Sequence, residues 1–536
     1  MPLLMTQANN VENAIRQHQV HKLAGSPLLW QIMETLKIEE TIDAHCPGAE
    51  KQEVAHGQAA LALLLTRLLK PKALSRVQGW YGASGLDVLL KHDAEKFNDD
   101  CLGNMLDAVS EHSDAIWVRV IGQALQQYPA LAERVIQYDI TSCYFEGAYE
   151  DLALARRGYS RDHRSDAKQV NIGLSVTGQS GLPLVYELLA GNTADNQTPF
   201  AHLAKLKALL KQVGYPHPIV TVSDRAMLNR KLIAGYLEQG YHFLGPWTPP
   251  AVESLMASVD QAEILANPLV FQPQSAKSSA PPSYYGLMRS LTFEAHGQQA
   301  SLRVLVLYSR GKARLDARKR TDHLAKLLAD LAILQGKLNQ RRYRRRCYVY
   351  ERIQTLLRRY PAARRLVTWH LSGEDGTLTL TVEKDAAAIT AAQALDGRYA
   401  LVTNSDLSAD EMLIAYKQQS TVEGRFRIIK GPIPIRPIHL RKEARIAALV
   451  FLTMLALVVY TILEWLVRRK TPGRKRPWTG RAILEAFEEF SVVLQLFQDG
   501  SRLWLPPPLS DQQQFLWRAL DLPDLTAFLA TLELRA

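Results

Sequence analysis

Tyr416, Glu423 and Lys430 recur every seven residues in a segment that reads as helix, with Gln419 between the first two. Seven residues is nearly two turns, so a phenol, a carboxylate and an ammonium project from one stripe. Val422, Phe426 and Ile429 form an adjacent apolar stripe that can face a core. A helix of this kind is suited to holding a metal beside a phosphate. Far upstream, Asp139 and Asp224 each end an apolar, strand-like run. Cleaving or transferring a phosphodiester needs an activated attacking oxygen and a stabilised leaving oxygen. Two Mg²⁺ ions roughly 3.5 to 4 Å apart supply both, held by hard carboxylate oxygens. Asp139, Asp224 and Glu423 are therefore the candidate catalytic and metal-ligating residues. Taken singly, a strand-terminal aspartate is more often a cap or turn residue; it is the joint placement that singles these out. Asp162, Asp166, Asp195 and Glu187 are rival carboxylates, ranked lower because they fall in loops or on a later strand.

The three acids can converge only if their strands are neighbours. Val135 to Thr141 alternates, with Ile136, Tyr138 and Ile140 on one face and Asp139 on the other. Val170 to Thr177 and Leu182 to Leu189 follow, and three successive strands predict an antiparallel meander. Thr198 and Pro199 read as N-cap and first-turn proline of a helix with Phe200, Leu203, Leu206 and Leu210 on its apolar face. Ile219 to Ser223 is a short strand delivering Asp224. A helix through Leu232 and Tyr236 then leads to a strand at Tyr241 to Gly245. Strands in that order predict an α/β fold with a ribonuclease H-like mixed sheet core.

Residues 249 to 395 interrupt it with a Pro/Ser-rich stretch, a strand at Arg303 to Tyr308, a basic helical segment and a strand at Thr377 to Val382. This reads as an inserted domain. The core resumes at Gly397 to Asn404, Ser408 with Glu411 makes a capping box opening the Glu423 helix, and Gly431 with Pro432 closes it. The expected organisation is thus a helical region at 1–130, core at 131–248, insertion at 249–395, core again at 396–470, and a helical region at 471–536. The first region reads as a DNA-end-binding or dimerisation module, or as a structural helical cap.

A chain of 536 residues, 47% hydrophobic and 22% charged, exceeds one ordinary core and is not disordered. Its four cysteines are scattered without a C-x-x-C pair, so they imply neither a disulfide framework nor a thiolate zinc site and suit a reducing cytoplasm. No secretion signal is visible. From Arg310 to Arg365 eighteen Lys/Arg face four acids, a surplus of +14 that exceeds the +11 of the whole chain. Charge so clustered points to nucleic acid, or to a solvated basic helix face. Ile446 to Leu463 is apolar for eighteen residues, long enough to be a marginal membrane span, although a helix apolar all round can equally be buried. A buried helix, with no membrane partner, is the expectation.

The chain resembles the DDE transposases of bacterial insertion sequences, in the group whose signature is Y-x-x-R-x-x-x-E-x-x-x-x-x-x-K. Tyr416, Glu423 and Lys430 match it in spacing, Tyr138-Asp139-Ile140-Thr141 matches the first-aspartate motif, and Ser223-Asp224-Arg225-Ala226-Met227 resembles the second. Gly158 to Lys168, Gly191 to Asp195 and Gly397 to Asn404 are further similar segments, so the likeness runs from about 130 to 465. The resemblance implies that Asp139, Asp224 and Glu423 bind two Mg²⁺ or Mn²⁺ ions per active site. An activated water then nicks double-stranded DNA at the inverted-repeat ends of the element, and the freed 3′ hydroxyl attacks target DNA. It implies that Tyr416 and Lys430 contact phosphates beside the cut, and that Trp247 stacks an extruded base, although a tryptophan in FLGPW also suits core packing. Two ends must be handled together, so a homodimer on DNA is expected. Two departures stand out: Gln419 replaces the signature arginine and Ala226 a usual glycine. Arg425 and Arg427 lie nearby to supply a phosphate contact, and Arg341, Arg342, Arg344, Arg345 and Arg346 would add sequence-independent DNA affinity. The departures also allow a second reading, a DNA-binding protein that keeps the fold without cutting.

Overall fold

A computed structural model describes residues 15–147, 149–150, 152–194, 197–224, 228–271, 282–295, 298–436 and 438–535. The fold is mixed α/β, and the chain forms two compact units: Met1–Ser223 with Gln418–Ala536, and Asp224–Lys417. The strands, in chain order, are β1 (Ile15–Lys22), β2 (Val135–Tyr144), β3 (Gln169–Thr177), β4 (Pro183–Ala190), β5 (Val220–Val222), β6 (His242–Pro246), β7 (Tyr284–Ala295), β8 (Gln298–Ser309), β9 (Val367–Ser372), β10 (Thr379–Lys384), β11 (Arg398–Thr403), β12 (Ser491–Phe497) and β13 (Arg502–Leu505).

In the first unit the central strands run in the order β4-β3-β2-β5. β2, β3 and β4 are the antiparallel meander, and β5 returns parallel to β2, as the sequence pattern predicts. Every residue of β3 is buried, because the Gln419–Lys430 helix packs on this strand and the sheet has helices on both faces. The helix Pro199–Gln212 packs on β4. Thr198 does not cap that helix: its hydroxyl instead accepts a hydrogen bond from the buried Tyr138 phenol at 2.8 Å.

The apolar run near residue 450 is the core of this unit. It forms one helix, Glu443–Arg469, long and apolar enough to cross a membrane, yet 94% of its most apolar window is buried within the protein. It packs against the helices Ser26–Thr35, His56–Leu69 and Asp99–Gln127 of the N-terminal region, read above as helical. Trp117 on the last of these donates to the Leu184 carbonyl of β4 at 2.8 Å and packs edge-on against Phe451, joining helices to sheet. The helical terminal regions also contribute a feature that the sequence pattern does not show: β1 pairs with β12, and β12 with β13, in a small antiparallel sheet.

The second unit has its own antiparallel order, β6-β11-β8-β7. Arg303 to Tyr308, read above within an insertion, is the inner half of β8 and hydrogen-bonds to β11, read above as core. Beyond β8, the helices Arg310–Gly336 and Arg346–Arg359 and the β9-β10 hairpin enclose a separate apolar cluster that includes Leu327, Leu331, Val349, Ile353, Leu371 and Leu380.

Candidate active site

The last pair between β2 and β5 is Gln137 with Val222. Beyond it β2 continues to Tyr144 paired, among the described residues, with β3 alone, so Asp139 stands past the last β2–β5 pair. Asp139 is half-buried, and one carboxylate oxygen accepts the Ile140 amide hydrogen at 2.8 Å. Asp224 follows the end of β5 by two residues, as Asp139 follows Gln137. Arg225, Ala226 and Met227 lie outside the described residues, as does Asp195.

The helix bearing Glu423 spans Gln419–Lys430 and packs on β2 and β3 through the expected stripe of Val422, Phe426 and Ile429, all buried. Glu423 is exposed, and its carboxylate has no hydrogen bond or ion pair among the described residues; Arg427 is likewise exposed and unpaired. The single helix expected from 409 to 430 is in fact two, Ala409–Lys417 and Gln419–Lys430. Ser408 and Glu411 do form the capping box of the first. At the interruption the Thr421 amide donates to the Gln418 carbonyl at 2.8 Å, a tighter i to i−3 turn, followed by Ser420, Thr421 and Val422, all weaker helix formers. Tyr416 therefore does not share one unbroken stripe with Glu423 and Lys430. Gln419, at the start of the second helix, is half-buried.

Arg425 cannot substitute for the missing signature arginine. Its guanidinium is buried, donating to Glu464 at 2.8 Å and to the carbonyls of Ser180 and Gly181 at 2.7 and 3.0 Å. Gly181 has φ +71, and a Cβ there would stand 2.6 Å from Arg425 Nε, so glycine is needed on both counts. Glu464 also pairs with Arg468 at 3.0 Å and accepts the Gly480 amide at 2.9 Å. One buried carboxylate thereby fixes the Glu423 helix, the apolar core helix and the turn after β3. A sign of this was visible in the sequence: a lone glutamate ending a long apolar run needs a buried partner.

Lys430 is also engaged. Its ammonium donates to Asp162 at 2.8 Å, and Arg436 pairs with the other oxygen of that carboxylate at 2.6 Å; Asp162 is only 6% exposed. Beside them Cys143 is fully buried, and burial pushes its thiol up to about 12. The other rivals are settled differently. Asp166 forms an exposed pair with Arg164. Glu187 pairs through Gly173 with Ile140, on the sheet face opposite Asp139, where it accepts from buried His202 at 2.7 Å and from Lys205 at 2.8 Å. Burial holds the His202 imidazole below its usual range.

In the second unit, Asp224 and Tyr416 are both half-buried, and burial, with the Asp224 carboxylate adding to it, raises the Tyr416 phenol above its ordinary range. Tyr416 is therefore a protonated donor near neutral pH. Lys417 sits over the rings of Tyr284, Tyr399 and Tyr416 at 4.7, 5.9 and 5.8 Å. Trp247 is half-buried, edge-on to Phe293 at 5.8 Å.

The five clustered arginines divide by role. Arg346 donates to the Gly373 and Leu371 carbonyls at 2.8 and 2.7 Å, and Arg344 to that of Asn339 at 3.0 Å. Arg342 lies over Tyr343 and Tyr348, while Arg341 and Arg345 are exposed with no partner among the described residues. Replacing Arg341, Arg342 and Arg345 with glutamine is expected to flatten the logarithmic salt dependence of DNA binding by close to one unit per lost phosphate contact. Arg346→Gln should instead lower the melting temperature; an unchanged slope in the triple variant would contradict the division.

By donor chemistry, three carboxylates suit a hard divalent cation. Among the described residues, however, no group of three or more His, Cys, Asp or Glu side chains stands ready to hold a metal ion. Within the first unit the fold brings Asp139, Glu423 and Lys430 to one strand and the helix packed on it; Asp224, Tyr416, Trp247 and the five arginines belong to the second.

A family described as a domain of unknown function, DUF4277, matches residues 18–119. No curated protein matches the chain. Among solved structures, the piggyBac transposase in a synaptic complex with hairpin DNA aligns over 96% of this chain and 86% of its own, at 9% identity and a TM-score of 0.38. The Mos1 transposase paired-end complex with the left transposon end aligns over 37% and 60%, at 12% identity and a TM-score of 0.16. A Mos1 mariner paired-end complex with Mn aligns over the same shares at 14% and 0.15. The match to DUF4277 runs from within β1 through the N-terminal helices and ends inside Asp99–Gln127.

Proposed function

We propose that this protein is a DNA-processing enzyme of the DDE transposase type, cutting at the ends of its own element and joining them to target DNA. The observation that carries the reading is local: β5 lies parallel to β2, Asp139 and Asp224 each follow their strand's last mutual pair by two residues, and the helix of Glu423 packs on β2. Asp139, Asp224 and Glu423 are the assigned carboxylates. A bound Mg²⁺ or Mn²⁺ would supply the activated water and stabilise the leaving oxygen. Glu423 is available for this, being exposed and free of ion pairs among the described residues. Tyr416, held protonated, can donate to a phosphate oxygen, and Arg427 is an exposed cation on the Glu423 helix with no partner among the described residues. Lys430 would serve the site by holding the end of that helix through Asp162.

The purified chain, incubated with DNA carrying the inverted repeats that flank its coding region, is expected to nick at the repeat ends with Mg²⁺ and not with EDTA. Tight binding of those ends with no nick in either Mg²⁺ or Mn²⁺ would instead favour the second reading, a protein that keeps the fold and grips DNA without cutting.

A further inference from the structure

We infer that the loop from Ala155 to Lys168 is a contact for an unpaired DNA base, with Tyr159 as its stacking platform; the inference rests on the DNA-processing reading. Tyr159 is 83% exposed, the most solvent-exposed aromatic ring among the exposed large side chains of the described residues. A free tyrosine ring in water is ordinary on a mobile tail. Here the backbone beneath it is held on all sides.

The Tyr159 carbonyl accepts from the Gln169 side chain at 3.0 Å, and the Arg161 amide donates to the Ser142 hydroxyl at 3.0 Å. Asp162 is buried against Lys430 and Arg436. Just before the tyrosine, Gly158 lies so close to the Gly191 carbonyl that a Cβ there would run into it, and Gly191 in turn meets the carbonyls of Gln169 and Arg156. Fixed backbone with a free ring is a preorganised aromatic surface, and it loses little entropy when something stacks on it.

The charges say what would stack. Arg156, Arg157, Arg161 and Arg164 surround the ring in sequence, and Arg161 lies 6.0 Å from its centroid. The two acids of the loop are already committed, Asp162 to Lys430 and Arg436 and Asp166 to Arg164. Arg156 and Arg157 are left exposed. Exposed arginines around a flat ring fit a polyanion whose units carry flat faces, and base stacking on aromatics is independent of sequence. In a duplex the faces are covered, so the fitting partner is a strand with at least one unpaired base. Location agrees: Ser142 is three residues beyond Asp139 on β2, roughly 10 Å along the strand.

The test is metal-free binding by the full chain, in EDTA, to a fluorescein-labelled duplex and to the same duplex with a three-nucleotide single-stranded overhang. Tyr159→Ala is expected to weaken binding to the overhang DNA by about five- to a hundredfold while leaving the blunt duplex within twofold. Tyr159→Trp should keep the preference and show quenched tryptophan emission on binding. Arg156→Gln with Arg157→Gln should weaken both DNAs alike, as phosphate contacts do. If Tyr159→Ala binds both DNAs as the wild type does, or loses equally on both, the inference is overturned; a protein partner for this loop would give the first of these results. A wild type that shows the Tyr159-dependent overhang preference in EDTA but no nicking with Mg²⁺ would count against the catalytic reading alone.

Discussion

Glu464→Ala is expected to destabilise the first unit by about 3 to 5 kcal/mol, the cost of leaving buried Arg425 without its counter-ion. Glu464 and Arg425 are each 5% exposed at the side chain, so water cannot replace either partner. The alanine also strands the Gly480 amide, which the carboxylate accepts at 2.9 Å, and frees Arg468. Glu464→Gln should fall between, keeping an acceptor for Gly480 while removing the charge. The double change Glu464→Leu with Arg425→Met should recover much of the loss, since a buried pair replaced by apolar groups of similar size is often neutral or better. Chemical denaturation followed by tryptophan fluorescence measures all three. An alanine variant as stable as the wild type would show that this network does not hold the Glu423 helix.

Asp139→Ala and Glu423→Ala are each expected to lower the nicking rate by roughly a thousandfold, the equivalent of several kcal/mol of lost charge stabilisation at the phosphate. Neither change should unfold the protein. Glu423 is exposed and unpaired among the described residues, and Asp139 is half-buried on β2 beyond its last pair with β5. Melting temperatures within a degree or two of wild type should accompany the loss. Asn at either position keeps the shape without the charge and should be nearly as inactive. Nicking retained by either alanine variant would remove that residue from the site.

Much of the first unit is legible in the sequence because its signals are local. The strand readings place β3 and β4 to within one residue at each end and β2 correctly at its start but three residues short of its end, and Ser408 with Glu411 marks a helix start that the hydrogen bonds confirm. The apolar stripe of Val422, Phe426 and Ile429 is buried as read. What stayed hidden depends on partners far along the chain. Arg425 looks like any charged residue on a helix, and its burial is intelligible only with Glu464, 39 residues away. Lys430 looks free until Asp162, 268 residues distant, is found beside it. The pairing of β1 with β12 joins the two ends of the chain, and no local periodicity encodes it. The break at Gln418 was hidden for the opposite reason: glutamine is a good helix former, and a single tightened turn leaves no mark in composition.

The most direct test of the metal assignment is a Mn²⁺ titration of the 536-residue chain in the absence of DNA, followed by electron paramagnetic resonance. The wild type should take up Mn²⁺ at a site that Mg²⁺ displaces, and Asp139→Ala, Asp224→Ala and Glu423→Ala should each lose it or bind it at least tenfold more weakly. Wild-type uptake in all three variants would mean that these carboxylates do not hold the ion, and the proposed cutting chemistry would fail with them.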